Sequence, residues 1–210
     1  MKKFIKSKSK FREIKISPDA KFLVIVESPS KCQKIESFLG MDYACIASVG
    51  HLRKIEGLKF IDSKNGHTIE YSLINDKKAH IKEMEKVMKQ FPKENIILAT
   101  DDDREGEAIA WHICEIFKLN ISTTKRIIFH EITQNAVRNA VKNPTKINMD
   151  LVTSQQARQV VDLYVGYKIS PILWKYLYNN KENTLSAGRC QTPALRLVYD
   201  NYIEIKNAVS

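Results

Sequence analysis

Several things are scarce in this chain. Of its 210 residues only seven are glycine and four are cysteine. The cysteines, Cys32, Cys45, Cys114 and Cys190, lie far apart without a C-x-x-C pair, which argues against a zinc site or a disulfide framework and for reduced thiols. No apolar run approaches the roughly 20 residues of a membrane span, and the lysine-rich start lacks the apolar stretch of a signal peptide. An intracellular globular chain with no membrane partner is expected. Arginine is also scarce, eight against 26 lysines, and no internal repeat is present.

What is there begins with charge. The net charge of +10 favours a polyanionic partner, either nucleic acid or an acidic membrane surface. Residues 1–20 carry seven Lys/Arg against two Asp/Glu and few large apolar residues, so they read as a basic disordered tail. Such a tail serves either as a solubilising or targeting extension or as a weak, salt-sensitive hold on phosphates. The hydrophobic fraction of 43% is enough for one core plus a small satellite domain.

From Phe22 onward, short apolar β-type runs alternate with helical spacing, the pattern of a parallel α/β sheet flanked by helices. Strands are predicted at Phe22–Val26, Tyr43–Ser48, Ile96–Thr100 and Arg126–Phe129, and helices at Lys31–Leu39, Ala79–Gln90, Gly106–Phe117 and Thr133–Lys142. Residues 54–74 fit a loop with a hairpin. Asn143-Pro144 closes the last helix of this unit, since proline pushes its predecessor out of the helical region. The predicted organisation is therefore an α/β domain over 21–146 followed by a small, mainly helical region over 147–210. That region has helices at Thr153–Lys168 and Pro171–Tyr178, a polar turn at Asn179–Asn183, and a last helix from Thr192.

The most informative stretch runs from Ile96 through Thr100-Asp101-Asp102-Asp103-Arg104-Glu105-Gly106-Glu107. An apolar strand delivers acids to its carboxyl end, where α/β sheets place their sites. Asp101 and Asp103 share a face of an extended segment, and Glu105 opens the next helix, so three oxygen ligands can converge. The strand Phe22–Val26 also ends in an acid, Glu27. If the two strands are neighbours, Glu27 faces the triad. Crowded carboxylates need either a cation, for which Mg²⁺ is the natural choice, or a proton held by one of them, which would make Glu27 a general acid. Asp102 and Glu107 read as outward-facing or as easing the helix dipole. Arg104 fits either a salt bridge to Asp103 or a contact to phosphate, and His51, after Gly50, either a structural or a catalytic role.

The segments Val-Ile-Val-Glu27-Ser-Pro-Ser-Lys31, Ser48-Val-Gly-His51-Leu and Ala-Thr-Asp101-Asp-Asp103-Arg-Glu105-Gly-Glu-Ala-Ile-Ala-Trp-His resemble the TOPRIM domain of type IA DNA topoisomerases. The resemblance implies a Rossmann-like fold, a catalytic Glu27, Mg²⁺ organised by Asp101, Asp103 and Glu105, and Lys31 on the cleaved phosphate; Glu27 is also counted as a candidate metal ligand, and Arg104 and His51 are lesser candidates. Downstream, Glu131-Ile-Thr-Gln-Asn-Ala-Val-Arg138, Gln155-Gln-Ala-Arg158 and Ser186-Ala-Gly-Arg189-Cys-Gln191 are similar to the helical domain that follows TOPRIM and lines a groove for single-stranded DNA. Arg138, Arg158, Asp162, Tyr167, Arg189 and Gln191 carry over as DNA contacts, with Tyr167 either stacking on a base or packing in a core. The chain departs from many bacterial members at Gln159 and Leu163, where they have basic residues, which puts base preference in doubt.

The resemblance further implies relaxation of negative supercoils without ATP, through breakage and rejoining of one strand by a phosphotyrosine. None of the chain's eight tyrosines is followed two places on by arginine, as the family's nucleophile is. The nucleophile and the downstream topoisomerase domains are thus expected elsewhere, and a cytoplasmic or nucleoid location is expected if the source is bacterial. Two alternatives stand beside this reading: another TOPRIM phosphotransfer enzyme, primase or nuclease, and a non-catalytic DNA-binding remnant.

Overall fold

The computed structural model describes residues 16–177 and 185–208. Most of the expected basic tail and all of the turn at Asn179–Asn183 lie outside the described residues. In chain order the elements are β1 (Phe22–Val26), α1 (Pro29–Leu39), β2 (Tyr43–Ala47), β3 (Arg53–Lys54), β4 (Ile61–Asp62), β5 (Thr68–Ile69), β6 (Ser72–Leu73), α2 (Lys78–Met88), β7 (Ile96–Ala99), α3 (Arg104–Phe117), β8 (Lys125–Arg126), α4 (Gln134–Lys142), α5 (Met149–Tyr176) and α6 (Gln191–Ala208). By backbone proximity, described residues 16–54 and 72–153 form one compact unit, and residues 55–71 with 154–177 and 185–208 form another.

The first unit is built on a parallel four-stranded sheet in the order β2-β1-β7-β8. Its central strands are apolar at every position because both faces are covered. Leu23, Ile25, Ala44, Ile46, Ile96 and Leu98 face a core with Met84 of α2 and Ile109 and Ile113 of α3. Their alternates Val24, Val26, Cys45, Ala47, Ile97 and Ala99 face a second core with Ile35 of α1 and Val137 of α4. The strand period of two sends consecutive residues to opposite layers, and each fully buried aliphatic side chain contributes roughly 1.5–3 kcal/mol.

Strands 1, 2 and 7 match the predicted spans closely. β8 is shorter than predicted, Lys125–Arg126 rather than Arg126–Phe129, its last pair in the ladder being Arg126 with Leu98. The hairpin region resolves into two short antiparallel pairs, β3 with β6 in the first unit and β4 with β5 in the second.

The largest departure is α5. Two helices were predicted, broken before Pro171, yet one 28-residue helix runs through that proline. Proline is unfavourable inside a helix by about 3 kcal/mol, so contacts along α5 must offset it. Ser170 Oγ accepts from Ala187 N at 3.0 Å, and Trp174 Nε1 donates to Leu185 O, tying both sides of Pro171 to the chain that follows. Among the described residues no helix is long and apolar enough to cross a membrane, and all four cysteines are free thiols.

Candidate active site

β1 continues next to β2 on one side and is flanked by β7 on the other, so the connections after β1 and β7 diverge. Val26 pairs with Ala99, which sets Glu27 beside Thr100-Asp101 at the carboxyl ends of adjacent central strands. This is the switch point at which open α/β sheets leave a crevice. The neighbourhood expected of Glu27 and the acidic triad is thus present.

Asp103 caps α3, its Oδ1 accepting from Gly106 N at 2.7 Å, and places its negative charge at the helix's positive end. Thr100 Oγ1 donates to Gly106 O at 2.7 Å in a buried bond. Gly106 is required by space: a Cβ there would stand 2.1 Å from Asp101 O. The acids therefore sit on a turn pressed against the first turn of α3. Glu105 reaches His51, with Oε2 3.4 Å from Nε2, and Lys31, from the first turn of α1, pairs its ammonium with Asp101 Oδ1. Glu27 is half-buried, and its carboxyl is held above the usual range by burial first and by Asp101 next, with Asp103 adding to the rise and Lys31 and His51 opposing it. Arg104 is exposed, as is Asp102, whose Oδ2 lies 3.6 Å from His130 Nε2. Lys31, Asp101 and Asp102 share with Phe129–Ile132 an open cleft of about 320 Å³.

Beneath this loop lies a feature that sequence reasoning missed. Glu107, expected to face outward or to ease the dipole of α3, does lie in that helix's first turn but is 2% exposed and pairs with the fully buried Arg126, Nε to Oε2 at 2.6 Å. Arg126 also donates to Thr100 O at 3.0 Å and Asp101 O at 2.9 Å, while Glu107 Oε1 accepts from Asn148 N at 2.6 Å. The guanidinium spreads its donors in a fixed fork, so it holds two carbonyls of the acidic turn and a carboxylate at once. The available signal was a charge directly before the apolar run Ile127-Ile-Phe, at the head of the predicted strand.

In the second unit Asp162 of α5 is the centre of a small ionic group. Arg189 Nε donates to its Oδ1 at 2.6 Å and Arg158 Nε lies 3.6 Å from its Oδ2. The hydrogen bond from Arg189, and then the two positive charges, hold the Asp162 carboxyl below its ordinary range. Gln191 opens α6 and accepts from Ser186 Oγ at 3.2 Å. Tyr167 is half-exposed, and its hydroxyl end lies close to Gly57, where an added Cβ would stand 3.1 Å from the hydroxyl oxygen. A mostly apolar cleft of about 420 Å³ is lined by Asp162, Leu163, Gly166, Tyr167, Ser170, Pro171 and Trp174. Gln159 accepts from Tyr71 OH at 3.3 Å. Arg138 is placed differently: on α4 in the first unit, its Nε donates to Phe38 O of α1 at 2.8 Å.

Residues 22–132, more than half of the chain, match the Toprim domain family. The chain belongs to the Toprim family. Residues 146–210 match the DNA topoisomerase family, and the fold is similar to that of full-length topoisomerase I from Thermotoga maritima, with 38% identity and a TM-score of 0.73 over 87% of this chain. A Toprim domain followed by topoisomerase-domain sequence is the arrangement at the amino-terminal side of a type IA DNA topoisomerase. This chain spans 30% of the length of the Thermotoga protein.

Toprim domains bind divalent metal ions. The donors here fit such an ion in chemistry and charge, since Glu27 is raised by two neighbouring carboxylates that a cation would neutralise. In the present side-chain arrangement, however, no group of three histidine, cysteine, aspartate or glutamate residues among those described is poised around a metal position. Asp101 is engaged by Lys31 and Glu105 by His51 in this arrangement.

Proposed function

We propose that this chain supplies the acidic, Mg²⁺-binding half of a cleavage centre that breaks and rejoins one strand of DNA, the relaxation of negative supercoils by a type IA topoisomerase. The observation that carries the proposal is Glu27: a half-buried carboxyl raised by burial and by Asp101, at the carboxyl edge of β1, with Lys31 within reach. Asp101, Asp103 and Glu105 would hold Mg²⁺, joined by Glu27 only when it has given up its proton, and the bound ion would supply positive charge against a phosphate. Glu27, kept protonated more readily than an ordinary glutamate, gives its proton to the departing sugar oxygen as the phosphorus bonds to a tyrosine oxygen, and recovers it on rejoining when that bond breaks. Lys31, released from Asp101, contacts the phosphate, and Arg104, exposed at the first turn of α3 between Asp103 and Glu105, is assigned the same task. No tyrosine of this chain is assigned as the nucleophile.

In the second unit, Arg158, Asp162, Arg189, Gln191 and Tyr167 are assigned as contacts to single-stranded DNA, and in the first unit His51 and Arg138 are assigned as DNA contacts of their own. The apolar cleft beside Tyr167 and Trp174 suits a base, which stacks on aromatic faces with little demand for sequence.

The test is cation binding by the 210-residue chain, followed by calorimetry or Mn²⁺ electron paramagnetic resonance. D101N with D103N should weaken binding at least about tenfold, the loss of two charged oxygen ligands. Unchanged affinity would refute the assignment. For Glu27 the linkage has a definite sign: a carboxyl whose folded pKa lies above its unfolded value stabilises below the unfolded value, and loses that contribution as pH rises through the folded one. E27Q should therefore raise the melting temperature at neutral pH in chelator, and Mg²⁺ should stabilise the variant less than the parent. A lower melting temperature in chelator would count against the crowded-carboxylate account.

On the DNA side, R189A should weaken binding of a single-stranded oligonucleotide by about threefold to tenfold and reduce the slope of log affinity against log salt by about 0.7, one phosphate contact. An unchanged slope would assign Arg189 to the Asp162 ion pair alone.

A further inference from the structure

The turn after β2 is bent in a way its sequence does not favour. Val49 has φ +59°, a left-handed conformation that is a genuine outlier for a β-branched residue. The turn wraps the backbone of Glu27: Val49 N and Gly50 N both donate to Glu27 O, at 2.9 and 3.3 Å, and Ser48 N donates to Val26 O at 2.9 Å. Its far side is held from the start of α2. Lys77 is half-buried and its Nζ donates to Val49 O at 2.7 Å, while His80 Nε2 bonds Ala47 O at 2.8 Å. His51, two residues beyond Val49, faces Glu105.

We infer that Lys77 is a positioning residue for the acidic centre: by gripping the Val49 carbonyl it keeps a strained turn closed, and the closed turn sets the backbone of Glu27 on one side and His51 on the other. The inference rests on the function proposed above in taking Glu27 as a working group of the site. The physical logic is that a valine left to itself relaxes out of the left-handed region, carrying both amides away from Glu27 O. An ammonium bonded to a carbonyl is a charge-assisted bond, stronger than a neutral one, and suited to holding a conformation the side chain opposes. The Lys77 ammonium bonds the Val49 carbonyl rather than any of the acids and lies close enough to His80 for their charges to interact, so its effect on the centre is transmitted through the turn.

The experiment uses the 210-residue chain as K77M, K77R, V49G and the K77M/V49G double variant. Amide hydrogen exchange at Val49 and Gly50 is read by NMR, together with Mn²⁺ affinity and melting temperature. K77M should speed exchange at Val49 and Gly50 by about tenfold, a local opening that leaves the β1 and β7 amides protected. Mn²⁺ affinity should fall by about threefold or more, and K77R should restore most of both. Because glycine accepts φ +59° without strain, the effect of K77M should shrink in the V49G background.

The inference is overturned if K77M leaves both exchange at Val49 and Gly50 and Mn²⁺ affinity at the parent values. It is also overturned if K77M loosens β1 and β7 equally, the mark of a merely structural lysine, or if the V49G background changes nothing. Should the parent chain itself bind no Mn²⁺, the metal-site reading fails, and exchange at Val49 and Gly50 still decides whether Lys77 holds the turn.

Discussion

Replacing Gly106 by alanine is expected to destabilise the chain by about 3 kcal/mol or more and to lower its melting temperature by roughly 6 °C or more. The added Cβ would sit 2.1 Å from Asp101 O, 2.8 Å from Asp101 N and 2.9 Å from Asp101 C. These are backbone atoms, and no side-chain rotation relieves the overlap. Nor can the two segments easily part, because Asp103 Oδ1 accepts from Gly106 N at 2.7 Å and Thr100 Oγ1 donates to Gly106 O at 2.7 Å. Any relaxation therefore pushes Asp101 away from Glu27, and cation affinity should fall along with stability. Gly166→Ala is the control: within α5 its nearest atom is Ala187 O at 3.9 Å, so alanine should be neutral or stabilising by up to about 1 kcal/mol from helix propensity. Thermal unfolding of the two variants checks the pair, and equal behaviour would mean that the close approach at Asp101 is not decisive.

The second large effect is expected at Arg126. Arg126→Ala should cost about 3–5 kcal/mol, since it strands Glu107 as a buried charge and removes the donors to Thr100 O and Asp101 O. Surface ion pairs such as Lys86 with Glu83 contribute little, because water already solvates both partners. The buried pair differs in the consequence of breaking it rather than in the net worth of making it. R126M with E107L, which removes both charges together, should therefore lose much less than the sum of the two single variants. Chemical denaturation of the cycle checks this, and additivity would show that the pair is not coupled. Asn148 N, bonded to Glu107 Oε1, should lose exchange protection in either variant that removes the carboxylate.

Much of the first unit was legible in the sequence because its signals are local. Four apolar runs bounded by helical spacing are enough for a parallel sheet, and acids directly after two of those runs mark its carboxyl edge. The positions of the acids were legible for the same reason, Glu27 directly after one strand and Asp101, Asp103 and Glu105 directly after another. The errors fell where a local rule met a long-range contact. Pro171 ordinarily ends a helix, yet α5 continues because Ser170 and Trp174 anchor that turn to residues 185 and 187. Glu107 sits in the first turn of α3, where an exposed acid is commonplace, and only the approach of β8 turns it inward to Arg126. Lys77 and Val49 carried no signal at all, since a left-handed valine and the lysine gripping its carbonyl are facts of backbone geometry.

By itself, then, the sequence determined the chemistry of the centre and the order of the elements that carry it: periodicity and composition act within a few residues, and so do the spacings that put Asp101, Asp103 and Glu105 on one turn. Only the tertiary structure decided which partners those acids have. It set β1 against β7, raised the Glu27 carboxyl through burial and through Asp101, and brought Lys31 to Asp101 from another helix. Electrostatic environment depends on distances between segments far apart in the chain, and those distances exist only once the sheet has assembled.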